Sequence, residues 1–322
     1  MIKYVIKRLA LMLAVFLIII SICFVLIKLL PDTPAEQFGK DQAIIEQRRE
    51  ALGYNEPLIV QYGIFWQKTL LGGDWGISEV MYKGQEVWDV FVQKLPATML
   101  VNTYTMLFAV PIGLLLGIYA ALKKNKWQDH AISTGVMIFI SVPAFVYAIL
   151  VQYLLCHKMV EWTGGWAFPM GMDAGMDYFS WKMFVSLIPP IISLGFGTIA
   201  GLARYTRAEL CEVLTQEYML LARTKGLTRG QATVRHALRN SMVPIFPMIM
   251  GEFIGIIGGS LIIEQIFQIP GVGPLFIDSI TRLDYNFYML LSAFYTAIGL
   301  FSGILVDLSY GFVDPRIRMG ER

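Results

Sequence analysis

Six blocks of predominantly apolar residues divide this chain: Leu9 to Leu30, Ala97 to Leu122, Ala131 to Cys156, Phe184 to Ala203, Met242 to Ile263 and Phe287 to Val313. A helix needs about 20 such residues to cross a hydrocarbon core roughly 30 Å thick. Within that core only structures that satisfy every backbone polar group internally are stable, and blocks this long do so as helices. The blocks therefore predict an all-α membrane protein with six transmembrane helices. Composition agrees, since 16% of the residues are charged against about 25% in an ordinary soluble domain.

The first block follows Lys3, Lys7 and Arg8. It is longer than the roughly 7 to 15 apolar residues of a secretory signal and lacks the small residues of a cleavage site, so it reads as a retained anchor. Ile22, directly before Cys23, argues against lipoprotein processing. Lysine and arginine set orientation, because cytoplasmic flanks retain them. The amino terminus, Lys123 to His130, Arg204 to Ser241 and the tail after Asp314 hold 16 of the 26 basic residues. Both termini are thus expected in the cytoplasm. The expected division is residues 1–30 for the amino terminus and first span, 31–96 for an extracellular segment, 97–313 for a five-helix core containing a cytoplasmic loop 204–241, and 314–322 for a tail.

Several function classes lack their residues. A net charge of +2 gives no reason to expect a nucleic-acid partner. Cys23, Cys156 and Cys211 show no paired spacing, and His130, His157 and His236 are too dispersed for HExxH or another ligand cluster, so no metal site is expected. There is no GxxxxGK[ST] phosphate loop. No internal repeat suggests an ion-coupled transporter built from two related halves, and no nucleophile with a base suggests an intramembrane enzyme. No catalytic residue is expected.

Small residues four apart let helices in lipid approach closely. Gly113 and Gly117, Ala144 and Ala148, Gly197 and Gly201, the series Gly251, Gly255 and Gly259, and Gly299 and Gly303 place such a stripe in each of spans two to six. Outside, Gln42 to Leu52 predicts a charged helix ended by Gly53, and Gly72, Gly73 and Gly76 make a turn around Asp74 and Trp75. Trp162 and Trp166 suit the membrane interface.

The stretch between the fourth and fifth blocks is the most informative. Glu217 falls in the first turn of a short helix, Arg223 and Lys225 in its last, and Gly226 just beyond, as the helix dipole and a left-handed stop favour. Tyr218, Leu221 and Ala222 recur at helical spacing as an apolar face. Thr228 and Gln231 form a capping-box pair that opens a second helix through Arg235, His236 and Arg239. Such a short amphipathic helix suits a groove in a partner protein or the lipid surface.

The string EYMLLARTKGLTRGQATVRHALRNSMVP, Glu217 to Pro244, resembles the cytoplasmic coupling loop of ABC importer permeases of the dipeptide, oligopeptide and nickel group. The likeness also takes in IKYVIKRL, LGYNEPLIVQYGIFW, GGDWGIS, RYTRAEL, EQIFQIPGVGPLF and VDLSYGFVDPRIR, in the family's order. Leu220, Leu221 and Ala222 depart from the general loop, which begins with a glutamate and two alanines.

This resemblance implies one amino-terminal span plus a methionine-importer-like five-helix core, in a multi-pass protein of a prokaryotic plasma membrane. It implies a non-catalytic subunit carrying no cofactor, with ATP and Mg bound by two partner ATPases. Further implied partners are a homologous second permease, an extracellular solute-binding protein and a peptide cargo, or, on the same fold, nickel chelates or another small solute. The ATPase contact it implies falls on Ala222, Arg223, Thr224, Lys225, Gly226 and Leu227, and the helix pattern adds Glu217, Tyr218 and Leu221. Contact with the binding protein is expected at Asp74, Trp75, Pro270, Gly271 and Gly273. Glu252, about ten residues into the fifth block, is placed near mid-membrane, about 100° around the helix from the glycine series. The resemblance does not call for an acid there. It is a candidate for the translocation path, or for a hydrogen bond to a neighbouring helix.

Overall fold

A computed structural model describes residues 2–30, 42–51, 53, 55–172 and 177–313. The expected tail 314–322, and residues 31–41 of the first outer segment, lie outside the described residues. In chain order the helices are α1 (Ile2–Leu29), α2 (Gln42–Ala51), α3 (Leu58–Gln67), α4 (Val87–Leu122), α5 (Trp127–Ser141), α6 (Ala144–Gln152) and α7 (Met159–Thr163). They continue as α8 (Trp181–Val213), α9 (Glu217–Thr224), α10 (Arg229–Ala232), α11 (Leu238–Gly258), α12 (Leu261–Ile266), α13 (Val272–Thr281) and α14 (Tyr285–Val313). Wider π turns follow α3, α6 and α10, and the last two join their neighbours into continuous rods. Among the described residues there is no strand, only a bridge between Ile77 and Glu86.

Among the described residues, six helices are long and apolar enough to cross a membrane: Ile6–Leu29, Val87–Leu122, Ala144–Thr163, Trp181–Val213, Arg229–Gly258 and Tyr285–Ser309. The number agrees with the sequence blocks, but four boundaries differ: the second helix begins at Val87, ten residues before Ala97, so residues 87–96 of the expected outer segment are helical, and three others differ for local reasons. The third block is broken, because Val142 precedes Pro143 and takes an extended conformation (φ −91°, ψ 129°), as the proline ring demands of its predecessor. The fourth helix runs ten residues past Ala203 and carries RYTRAEL within it. The fifth stops at Gly258, since Gly259 turns left-handed at φ +67°. Gly259 is therefore a break and not part of a packing stripe.

The chain forms two compact units. The first comprises Met1–Thr98, Ile257–Gln265 and Ile269–Phe301. Its core joins Val87, Val90 and Phe91 of α4 to Val272 and Leu275 of α13 and Phe287, Leu290 and Leu291 of α14. A second cluster sets Ile20, Phe24 and Ile27 of α1 against Tyr285, Met289 and Ala293 of α14. The Asp284 carboxylate, fully buried, accepts from Ser78 Oγ and from the backbone N–H groups of Val80 (3.1 Å) and Met81 (3.0 Å). It thereby fixes the loop ahead of α4, and the Arg49 guanidinium holds the buried Glu79 beside it.

The second unit comprises Met99–Ile256, Ile266–Gln268 and Ser302–Arg322. Here α8 packs against α5 and α6. A Cβ added at Gly113 would lie 3.0 Å from the Ile199 carbonyl, and one at Gly117 would lie 2.7 Å from that of Ala203. This pair does let α4 close on α8. Gly201, Gly255, Gly299 and Gly303 meet nothing within 4 Å, so these four positions are open in the single chain.

Candidate functional site

The loop helix α9 spans Glu217–Thr224 and ends in a complete C-terminal stop. Gly226 N–H donates to the Arg223 carbonyl (3.0 Å) and Leu227 N–H to that of Ala222 (3.3 Å), with Gly226 at φ +89°. This is the paired bonding that a left-handed glycine permits, and it satisfies carbonyls left open at the helix end. Two residues later the expected capping box is present: Thr228 Oγ1 accepts from Gln231 N–H, and Gln231 Oε1 from Thr228 N–H. The second helix then continues without interruption into the fifth span.

Burial divides α9 differently from its apolar spacing. Met219 and Ala222 face inward and pack with Ala121, Leu210, Ala232 and Ala237, and half-buried Leu227 joins them. Glu217, Tyr218, Leu221, Arg223, Thr224, Lys225 and Gly226 are exposed, as is Leu220. The face assigned to Tyr218, Leu221 and Ala222 is thus corrected: Ala222 belongs to the underside, while Leu220 (65% exposed) joins Leu221 (54%) outside. The spacing i, i+3, i+4 fits both faces of a helix this short, so periodicity alone could not separate them.

An ion pair that no local pattern signals braces this region. Asp129 of α5, 1% exposed, binds the Arg207 guanidinium of α8 through both oxygens, at 2.7 Å for Nη2. It also accepts from Asn125 N–H (2.9 Å). The Arg207 hydrogen bond is the main cause holding the Asp129 carboxyl down at about 2, against an opposing effect of burial.

Glu252 is exposed in the single chain and accepts a 3.3 Å hydrogen bond from the Thr198 hydroxyl of α8. It therefore has a helix partner and an open side at once.

Of the residues expected at the binding protein, Asp74 and Trp75 are half-buried. Asp74 Oδ1 accepts from Gly76 N–H (2.8 Å), and Trp75 packs edge-on against Phe65. Gly271 and Gly273 are buried and removed from the surface, while Pro270 is part-exposed. The reason is Glu264, which is fully buried. Its carboxyl accepts from Thr98 Oγ1 (2.9 Å), Gly273 N–H (3.0 Å) and Ser260 N–H (3.2 Å), while Thr98 Oγ1 accepts from Val272 N–H (2.8 Å). A side chain at Gly273 would meet Glu264, Leu261 and Ser260 at 3.0 Å. The glycines of IPGVG thus let the backbone wrap a carboxyl group. Sequence reasoning missed Glu264 and Thr98, although an acid directly after an apolar block and before two glycines was a usable signal.

Among the described residues no three potential ligands gather as a metal site. Among the described residues, six membrane-length helices with a polar helical loop between the fourth and fifth define a multi-pass membrane protein.

The sequence matches two family models, "Binding-protein-dependent transport system inner membrane component" over residues 113–319 and the corresponding N-terminal model over residues 1–102. The chain belongs to this family of binding-protein-dependent transport system inner membrane components. It is 34% identical, over the whole of both chains, to a "Dipeptide transport system permease protein DppB" of Bacillus subtilis (strain 168). It is 31% identical, over 99% of each chain, to a "Glutathione transport system permease protein GsiC" of Escherichia coli (strain K12). A crystal structure of an amino acid ABC transporter with histidines shares the fold: TM-score 0.50, 19% identity, covering 69% of this chain and 92% of that one.

Proposed function

We propose that this chain is a transmembrane permease subunit of an ATP-driven importer of short peptides, forming half of the translocation path. The observation that carries the reading is α9: a helix closed by a left-handed glycine stop, seated on the bundle by Met219 and Ala222, and offering Tyr218, Leu220 and Leu221 outward. An exposed apolar ridge on a rigidly seated helix is what a groove in a cytoplasmic ATPase would engage. Relatives bearing dipeptide and glutathione transport names support the cargo class.

In this reading the chain lies in a prokaryotic plasma membrane with both termini cytoplasmic, and residues 31–96 and 97–313 are the extracellular segment and the permease core. A homologous permease, two ATPases holding ATP and Mg, and an extracellular binding protein complete the complex. The chain itself catalyses no reaction and holds no cofactor. The binding protein meets the half-buried Asp74 turn and Pro270. Reconstitution of the complex in proteoliposomes tests the proposal. ATP-dependent accumulation of labelled di- or oligopeptides is expected, and accumulation of a nickel chelate in place of peptides would overturn the cargo assignment.

A further inference from the structure

The helix α3, LIVQYGIFWQ, contains no charged residue. It and the turn after it expose unusual apolar surface: Ile59 is 75% exposed, Leu70 63% and Leu71 83%. In water such a ridge would be a liability.

The packing of α3 shows where this exposed surface lies. Tyr62 and Phe65 both pack on the ring of Phe24 in α1, with centroids 5.5 and 5.2 Å apart. The Tyr62 hydroxyl lies 2.6 Å from that of Ser21. Ser21 Oγ already donates its one proton to the Leu17 carbonyl (2.6 Å), so Tyr62 is the donor. Ser21 stands eight residues before Leu29, the last residue of the apolar helix, or about 12 Å inside its end at 1.5 Å per residue. A hydrogen bond at that depth draws α3 to the last turns of a membrane span. On the rest of α1, Ile18, Ile22 and Leu26 are each more than half exposed, as residues that meet lipid would be. The exposed apolar residues of α3 and its turn thus belong to an element seated on a span whose free face meets lipid.

The polar groups are sorted in the same sense. Lys28, at the end of α1, and Lys68, just after α3, line one small cavity with Asp74 and Asn286. Lysines there suit the headgroup level, with their apolar stems below.

We propose that Leu58–Gly72 is a lipid-contacting interfacial element, with Ile59, Leu70 and Leu71 inserted among acyl chains just beneath the headgroups that Lys28 and Lys68 reach. This goes beyond transport of any particular cargo, and it takes part of the segment between the first two spans out of water.

The test is nitroxide accessibility in the assembled complex in phospholipid nanodiscs, with Cys23, Cys156 and Cys211 replaced and a single label at Ile59→Cys or Leu71→Cys. Ile22→Cys serves as the lipid reference and Lys83→Cys as the water reference. The expected result is several-fold greater relaxation by oxygen than by a water-soluble nickel chelate at Ile59 and Leu71, matching Ile22. Nickel accessibility equal to that of Lys83 would overturn the proposal. So would protection from both reagents in the complex with nickel access in the isolated chain, which would show a protein partner as the occupant. Retained cargo uptake by each labelled complex confirms that the fold is intact.

Discussion

Gly226 meets no atom within 4 Å where a Cβ would stand, so space is not what fixes the residue. Its φ of +89° is, because a left-handed residue costs an L side chain roughly 1–2 kcal/mol and a β-branched one most. Replacement by valine is expected to shift the backbone out of that region and release the bonds from Gly226 and Leu227 that close α9. The underside contacts of Ala222 and Leu227 would loosen with them. Gly226→Val should reach the membrane at normal level but lose uptake several-fold, with ATP hydrolysis no longer answering to the loaded binding protein. Gly226→Asn, which tolerates the left-handed region, should recover most of the coupling. Normal uptake and stimulation in the valine variant would refute a coupling role for this stop.

At the scale of elements, the Asp129–Arg207 pair ties the cytoplasmic end proposed for α5 to that of α8. Removing one partner of a buried pair costs about 3–5 kcal/mol, and less is expected here because Arg207 remains 33% exposed. The carboxyl sits at about 2, below the ordinary value of about 3.9. Its stabilisation is thus complete above pH ~4 and is lost only as pH falls through about 2. Asp129→Asn should lower the thermal stability of the purified complex by the same amount at pH 5 and pH 8; a deficit that vanishes at pH 5 would show that the carboxylate is not held by Arg207. The same pair shows why parts of the fold were hidden from sequence. The apolar blocks gave the spans, and Thr228 with Gln231 gave the start of the second loop helix, because these signals are local. RYTRAEL read as loop because it is charged, yet Arg207 remains helical with its partner 78 residues away. Gly259 read as one more packing glycine, since nothing within its own helix reveals that Thr98 and the backbone after α12 gather around Glu264. The break at Pro143 was legible in the residue pair but was overridden by the hydropathy of the block. Depth was equally hidden: α3 is too short to read as a span, and only its contacts with Ser21 and Phe24 of α1 bring it beside one.

For the whole molecule, the central question is how a path through lipid handles charge that the cargo brings. A peptide with a free amino group carries a cation, and a charge at the centre of a bilayer costs several kcal/mol unless something opposes it. Glu252 lies in the apolar part of the fifth span and is open on one side, its hydrogen bond to Thr198 leaving carboxylate acceptor sites unused. It stands where Gly255 and Gly201 also meet nothing within 4 Å, so small residues leave room beside it. These features suit a cavity shared with a second permease, and an acid there would favour cationic over anionic cargo. Glu252→Gln keeps nearly the same volume and can still accept from Thr198, but it removes the charge. The expected outcome, measured as competitive uptake by the reconstituted complex, is a several-fold loss for lysine-containing peptides relative to neutral ones, and a relative gain for acidic ones. Affinities of the binding protein, measured separately, must not change. If the three peptide classes keep their parent proportions in a normally assembled complex, Glu252 serves only its bond to α8 and the path is not tuned by its charge.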